Sequence, residues 1–259
     1  MKTTEIGFIG GGRITNIFLH ALASQKESLN VVVCDTNPDV LNDLKKAYPY
    51  ISIQTTPEQA AKQAIVFIAL HPPVMGPMLS ELAAFIQPDT LVVSLAPKIT
   101  VSKMASVLNT TQIARMIPNA TSFVQAGFNP IYFSPALASD KKDLLTTLLK
   151  PMGSLIETAE NKLEAYALIS AMLPTYFWFQ WKTIAELGEQ MGLNKSECTE
   201  ALKETLQGAI SLYFDAGLTP EKAIDLIPVK PIGEHQVEIS DMYRTKLMGL
   251  YEKIKPEQP

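Results

Sequence analysis

The chain has 259 residues, 47% hydrophobic and 19% charged, with 22 Lys+Arg against 26 Asp+Glu and a formal net charge of −4. So little charge beside so much apolar side chain excludes an intrinsically disordered protein, and the acidic balance lacks the basic footprint of a nucleic-acid binder. Two cysteines, Cys34 and Cys198, make neither a disulfide framework nor a four-ligand zinc site, and His20, His71 and His235 form no ligand pair, so no metal is expected.

The opening Met1-Lys2-Thr3-Thr4-Glu5 runs straight into a strand-like segment, without the apolar region and cleavage site of a secretory signal, and a cytoplasmic protein is expected. The low charge leaves two explanations: a core large for the chain's size, or apolar surface covered by another subunit.

Strand and helix signals alternate through the first half. Residues 6–9 form a short apolar run entering a glycine cluster, and 15–24 have helical spacing through Ile17, Phe18, Ala21 and Leu22. A strand over 30–34, a helix over 38–47, a short strand at 51–53 and a helix over 57–63 follow. Residues 65–70 are continuously apolar, the pattern of a strand buried on both faces. Strands at 90–94 and 112–116 flank a helix over 101–108. This alternation predicts an α/β fold with a parallel sheet and right-handed crossovers.

Beyond residue 150 the pattern becomes helical, over 160–188, 195–216 and 240–255, with a short helix restarting at Thr219-Pro220-Glu221. The expected domains are an α/β one over 1–155 and an all-helical one over 156–259. From Ala165 to Trp181 no charged residue occurs, but Pro174 and the polar Ser170, Thr175 and Gln180 favour a buried helix over a membrane span. No membrane association is expected.

The strongest chemical signal is Gly7-Phe8-Ile9-Gly10-Gly11-Gly12-Arg13-Ile14-Thr15, which follows the first strand and opens a helix. Gly10 permits the tight turn, and Gly12 lets the backbone approach a pyrophosphate. The N–H groups from Gly11 through Arg13 and Ile14, at the helix N-terminus, then face that anion. Thr15 is larger than the usual third glycine or alanine, so looser helix–strand packing is expected there. Asp35, ending the second strand, is placed to accept from the ribose hydroxyls and to repel a 2′-phosphate. It favours NAD(H), while Thr36 and Asn37 leave room for a phosphate. Arg13 reads either as a solvated side chain or as a pyrophosphate clamp.

The segment Ile6–Gly12 resembles the opening of the pyrroline-5-carboxylate reductase family. Leu70-His71-Pro72-Pro73 stands where that family's fourth strand ends in a Val-Lys-Pro-Gln-like turn. Val93-Ser94-Leu95-Ala96 occupies the next strand end, and Arg115-Met116-Ile117-Pro118-Asn119-Ala120 is similar to its Arg-x-Met-Pro-Asn-Thr segment. Gln207-Gly208-Ala209 lies in a matching long helix. The resemblance implies a Rossmann-type doubly wound parallel sheet binding NAD(P) in 1–155, an all-helical dimerisation and substrate domain in 156–259 that makes a homodimer, and hydride delivery from NAD(P)H to a small cyclic imine, as in proline synthesis.

Two departures fall in the substrate half. The family's Thr-Ala-x-Ser-Gly-Ser-Gly-Pro-Ala-Tyr reads here Ala167-Leu168-Ile169-Ser170-Ala171-Met172-Leu173-Pro174-Thr175-Tyr176. Its Ser-Pro-Gly-Gly-Thr-Thr reads Ile227-Pro228-Val229-Lys230-Pro231-Ile232-Gly233. Val and Pro cannot supply the N–H donors of a glycine nest.

Four residues are candidates beyond the turn. His71, with Leu70 and Pro72 on the cofactor-binding edge of the sheet, reads as a proton-exchange or nicotinamide contact, or as a capping or solvated histidine. Asn119 is expected to bond the carboxamide or the substrate. Tyr176 is expected to offer a hydroxyl, in an aromatic run (Tyr176 to Trp181) that reads as core or dimer interface. Lys230 is placed by its charge to pair with a substrate carboxylate. The neutral stretch from Met104 to Ser139, with Arg115 its one charge, suits a cleft wall or buried packing. Two other readings stand beside the reductase: a 3-hydroxyacid-dehydrogenase-like oxidoreductase, disfavoured because Tyr166 stands one turn after Lys162 where an Asn is expected, and a non-catalytic dinucleotide-binding regulatory dimer.

Overall fold

The computed structural model describes residues 3–256. Met1 and Lys2, which enter the reading against a secretory signal, and residues 257–259 of the expected helical domain lie outside them.

Eight strands form one sheet: β1 (Thr4–Ile9), β2 (Leu29–Cys34), β3 (Ser52–Gln54), β4 (Ile65–Ile68), β5 (Leu91–Ser94), β6 (Ile113–Met116), β7 (Gly127–Phe133) and β8 (Gly153–Glu157). Their order is β3-β2-β1-β4-β5-β6-β7-β8. The first six are parallel and have the doubly wound order, which reverses direction between β1 and β4. The sheet is not parallel throughout, however. β7 runs antiparallel to β6, and β8 is parallel to β7.

Connecting these strands are α1 (Arg13–Leu22), α2 (Pro38–Ala47), α3 (Glu58–Ala61), α4 (Pro72–Leu82), α5 (Val101–Ala105) and α6 (Ser139–Leu149). The period-2 geometry of β4 divides its apolar run between two cores. Ile65 and Phe67 enter the cluster that includes residues of α1, α2 and α6, while Val66 and Ile68 enter the one that includes residues of α3, α4 and α5. Phe67 stacks on Phe8 at 5.0 Å and meets Phe18 at 5.2 Å. Pairs of this kind add about 0.5–1.5 kcal/mol each beyond the area they bury.

The helical reading of 160–188 breaks into pieces. α7 (Leu163–Tyr166) passes into a π-helical stretch at Ala167–Ala171 and a 3₁₀ turn at Leu173–Tyr176 before α8 (Trp178–Gln190) begins. Pro174 has no N–H to give an α-helix, and the chain turns through Thr175 N–H to Met172 O and Phe177 N–H to Pro174 O instead. α9 (Lys195–Asp215), α10 (Pro220–Asp225) and α11 (Gln236–Ile254) complete the described chain.

Two compact units result, one running through Ala171 and resuming at Tyr251, the other Met172–Leu250. The boundary expected after residue 155 falls inside β8, whose ladder with β7 runs from Gly127↔Gly153 to Ile131↔Glu157.

Within the second unit, Asn194 and Glu197 form a reciprocal capping box at the start of α9, and Gly192 (φ +101°) makes the turn before it. Cys198 is the one buried residue among the described residues of this unit. The aromatic run is not its core: Trp178 is 48% exposed and Phe179 64%. Among the described residues no helix is long and apolar enough to cross a membrane.

Candidate dinucleotide site

The chain leaves β1 through Gly10, whose φ of +104° is open to glycine but not to side chains with a Cβ. A Cβ there would also stand 2.5 Å from Ala69 O at the end of β4. Gly10 N–H donates to Cys34 O at 2.8 Å, so the turn is tied to the strand on its other side as well. Gly12 is the N-cap of α1, which has no side-chain cap and no acidic residue in its first turn. A Cβ at Gly12 would meet no protein atom within 4 Å. Its glycine is therefore not required by protein packing, and the open space beside it adjoins an uncapped helix N-terminus, whose N–H groups favour an anion.

Asp35 locks this turn. Its Oδ2 accepts Gly11 N–H at 2.7 Å and its Oδ1 accepts Asn37 N–H at 2.8 Å. One carboxylate thus bridges the turn after β1 and the turn after β2, each oxygen keeping a further lone pair for a hydroxyl donor. Thr15 does not loosen the packing. It is wholly buried, and its Oγ1 donates to Gly10 O at 2.5 Å, so the hydroxyl caps the carbonyl that the tight turn would strand.

Arg13 is exposed and lines a cleft of about 440 Å³ with Gly11, Gly12 and Asn16 on one side and Val40 and Asp43 on the other. Beneath the turn, burial raises the Cys34 thiol to about 11, helped by the charges of Asp35 and Glu81. A neutral thiol keeps a second negative charge away from the anion cradle.

Across the strand-order reversal, Ala69 N–H donates to Ile9 O, and Leu70 Cδ2 lies 3.1 Å from where a Gly10 Cβ would stand. His71 is the N-cap of α4 but makes no side-chain capping bond, and its ring is exposed at the C-terminal edge of the sheet, followed by Pro72 at the first helical position.

Asn119 is committed internally. Its Nδ2 donates to Ser170 O at 3.2 Å and Ser170 Oγ at 3.1 Å, while its Oδ1 accepts the Thr121 N–H and hydroxyl. The side chain expected to reach a carboxamide instead caps a 3₁₀ turn and fastens it to the π-helical stretch.

Arg115 is also an internal residue, 1% exposed on β6. It donates to Glu160 Oε1 at 3.1 Å and to Glu164 Oε1 at 2.5 Å. Neither glutamate was singled out by sequence, although a signal existed: a lone arginine in a long neutral stretch requires a buried counter-charge, and Glu160 and Glu164 stand at i, i+4 spacing.

The structure thus gathers Gly10, Gly11, Gly12, Arg13, Ile14, Asp35, Leu70, His71 and Pro72 along one edge of the first unit. Tyr176 and Lys230 belong to the second unit. The Tyr176 ring lies 5.9 Å from that of Tyr243, and burial, then that neighbour, raise its hydroxyl pKa above the ordinary value, so it is protonated at neutral pH. Lys230 is exposed in the loop between α10 and α11, its carbonyl accepting Gly233 N–H at 2.9 Å.

Fold and turn together define a Rossmann-type α/β unit, with a helical second unit. The family model for "NADP oxidoreductase coenzyme F420-dependent" matches residues 5–98. Pyrroline-5-carboxylate reductase 1 of Bacillus subtilis is 26% identical over 221 residues, 84% of this chain and 74% of that protein. The Escherichia coli pyrroline-5-carboxylate reductase is 23% identical, across 86% of this chain and 84% of the relative. Among solved structures, the Plasmodium falciparum pyrroline carboxylate reductase with NADP bound superposes with a TM-score of 0.76 at 16% identity, covering 98% of this chain and 96% of that one. Over most of its length the chain is thus similar to pyrroline-5-carboxylate reductases, in line with the resemblance of its motifs.

Proposed function

We propose that the protein is an NAD(P)H-dependent reductase of the pyrroline-5-carboxylate type, which reduces the C=N bond of a small cyclic imine. The observation that carries this reading is the Asp35-locked glycine turn at the reversal of strand order, beside an anion cradle that no protein group fills. Nicotinamide dinucleotide, when bound, supplies the hydride.

The chain's own residues bind and orient. N–H groups of Gly12, Arg13 and Ile14 hold the pyrophosphate, Asp35 accepts from the adenosine ribose, and Leu70, His71 and Pro72 border the nicotinamide half. Asp35 also favours NADH, since its charge faces the position of a 2′-phosphate and neither Thr36 nor Asn37 offsets it. His71 or Tyr176 exchanges the proton, and Lys230 takes the place of the missing glycine nest toward a substrate carboxylate. The second unit serves as the dimerisation and substrate domain of a cytoplasmic homodimer. That assignment is supported by its exposed apolar side chains, including Phe214 at 73% and Val229 at 74%, because a helical unit burying so little gains little stability alone.

The test is NADH and NADPH oxidation with pyrroline-5-carboxylate as acceptor. Turnover, with a lower KM for NADH, is expected. Tight nucleotide binding without turnover on this or any related cyclic imine would overturn the reductase in favour of a regulatory dinucleotide-binding dimer, for which the rewritten 227–233 loop is the favouring observation.

A further inference from the structure

The loop joining β5 to α5 contains a strained residue with an unusual holder. Lys98 has a φ of +78°, a left-handed conformation in which its Cβ crowds the backbone. Its N–H donates to Glu164 Oε1 at 3.0 Å, the same oxygen that accepts the Arg115 guanidinium. One turn earlier, Glu160 Oε1 accepts Val101 N–H at 2.7 Å as well as Arg115 Nη1. Two carboxylates from the 160–164 segment thus grip both ends of residues 98–101, with Arg115 between them as the shared counter-charge.

Stability alone explains such a cluster poorly. Arg115 and Glu164 are each 1% exposed, and Arg115 Nε and Glu164 Oε2 find no hydrogen-bond partner among the described residues. A buried ion pair of this kind recovers its desolvation cost only with good geometry and full hydrogen bonding, and apolar replacements often match it. What the cluster secures is a backbone shape. The loop begins at Leu95, whose N–H donates to Ile68 O at 3.0 Å, and Ile68 ends the strand that leads to Leu70 and His71. In a doubly wound sheet the glycine turn takes the adenosine half of a dinucleotide, and the β4–β6 half takes the other nucleotide.

We infer that Glu164 is a positioning residue: through Arg115 and the Lys98 N–H it holds the β5–α5 loop in its left-handed turn as the nicotinamide-side wall of the site. This rests on the dinucleotide reading above.

The test compares NADH with ADP-ribose, which keeps the adenosine and pyrophosphate but lacks the nicotinamide, by titration calorimetry on the full chain. In wild type both bind. Glu164→Met, which removes the acceptor at similar volume, is expected to weaken NADH about tenfold and to leave ADP-ribose within about twofold. Glu164→Gln keeps a carbonyl oxygen for both donors and retains most of the NADH affinity. Adding Lys98→Gly to Glu164→Met restores it, because glycine adopts the left-handed turn unaided.

Unchanged NADH binding in Glu164→Met would overturn the inference, as would equal loss of both ligands, which marks general unfolding, or failure of Lys98→Gly to restore binding. A wild-type protein that binds neither ligand would overturn the dinucleotide reading, and the inference with it.

Discussion

The carboxylate of Asp35 accepts the backbone N–H of Gly11 at 2.7 Å, so the residue proposed to face the ribose also shapes the glycine turn. The two roles separate by substitution. Asp35→Asn keeps a side-chain oxygen for Gly11 but removes the charge, and the ratio of kcat/KM for NADPH to that for NADH is expected to rise roughly fivefold, since like charges at such distances repel by on the order of 1 kcal/mol at a water-exposed edge. Asp35→Ala should change the ratio similarly and also lower stability by about 1–2 kcal/mol through the lost turn bonds. Steady-state kinetics with both nucleotides, beside denaturant unfolding, checks the pair. An enzyme already preferring NADPH would contradict the role given to Asp35.

Gly7 and Gly12 make opposite predictions although both lie in the same fingerprint. A Cβ at Gly7 would stand 1.9 Å from Ala60 O, a backbone atom of α3 that cannot yield without moving the helix. Gly7→Ala is therefore expected to destabilise the first unit by several kcal/mol, or about 3 by analogy with overpacked cores. At Gly12, with φ −70° and open space beyond, alanine should cost less than about 1 kcal/mol. NADH affinity should nevertheless fall at least tenfold, roughly the 1.4 kcal/mol lost when a methyl intrudes on the pyrophosphate. Thermal melts and fluorescence titration of NADH on the two variants would show the contrast. Wild-type affinity in Gly12→Ala would remove the anion cradle from the site.

Much of this arrangement was legible from sequence because its signals are local. The glycine cluster, the β-branched run of β2 and the uninterrupted Ile65–Ile68 strand each carry their own periodicity or conformational demand, and Pro38–Ala47 announces itself with Asn37 as cap and Pro38 at the first position. What escaped depends on distant partners. β7 contains Gly127, Asn129 and Pro130, poor strand formers by composition, yet Asn129 is buried and bonded to Asn119 N–H and Met152 O. That network exists only once the fold brings the three together. β8 was lost at the expected domain boundary for the same reason. Asn119 was a ligand candidate and Arg115 the lone charge of a stretch suited to a cleft wall or buried packing, and their internal bonds become visible only with Ser170, Glu160 and Glu164 in place.

The second unit yields a prediction about assembly. Phe214 on α9 is 73% exposed, so Phe214→Asp removes nothing from the unit's interior. If that face is covered by a second copy, burying the new carboxylate would weaken the dimer by several kcal/mol. Sedimentation at micromolar concentration should then show wild type at twice the 28.5 kDa chain mass and the variant shifted toward one chain. A wild-type monomer under these conditions would refute the homodimer.

Alkaline pH should weaken the first unit through Cys34. Burial, then the charges of Asp35 and Glu81, raise its thiol from 9.0 to about 11 in the folded chain. Below pH 9 the thiol is neutral in both states, and its contribution to stability is fully present. Between 9 and 11 the unfolded chain releases the proton while the folded one retains it, so stability falls as pH rises, by about 2–3 kcal/mol in all at 1.36 kcal/mol per pH unit. Tyr50, raised to about 12 by burial and by Tyr48, adds a loss at still higher pH. Cys34→Ala isolates the first effect. It should start less stable, having lost a small buried side chain, but its unfolding free energy should decline less steeply from pH 9 to 11 than that of wild type. Parallel pH profiles for the two proteins in urea titrations would show that the thiol is not the group responsible.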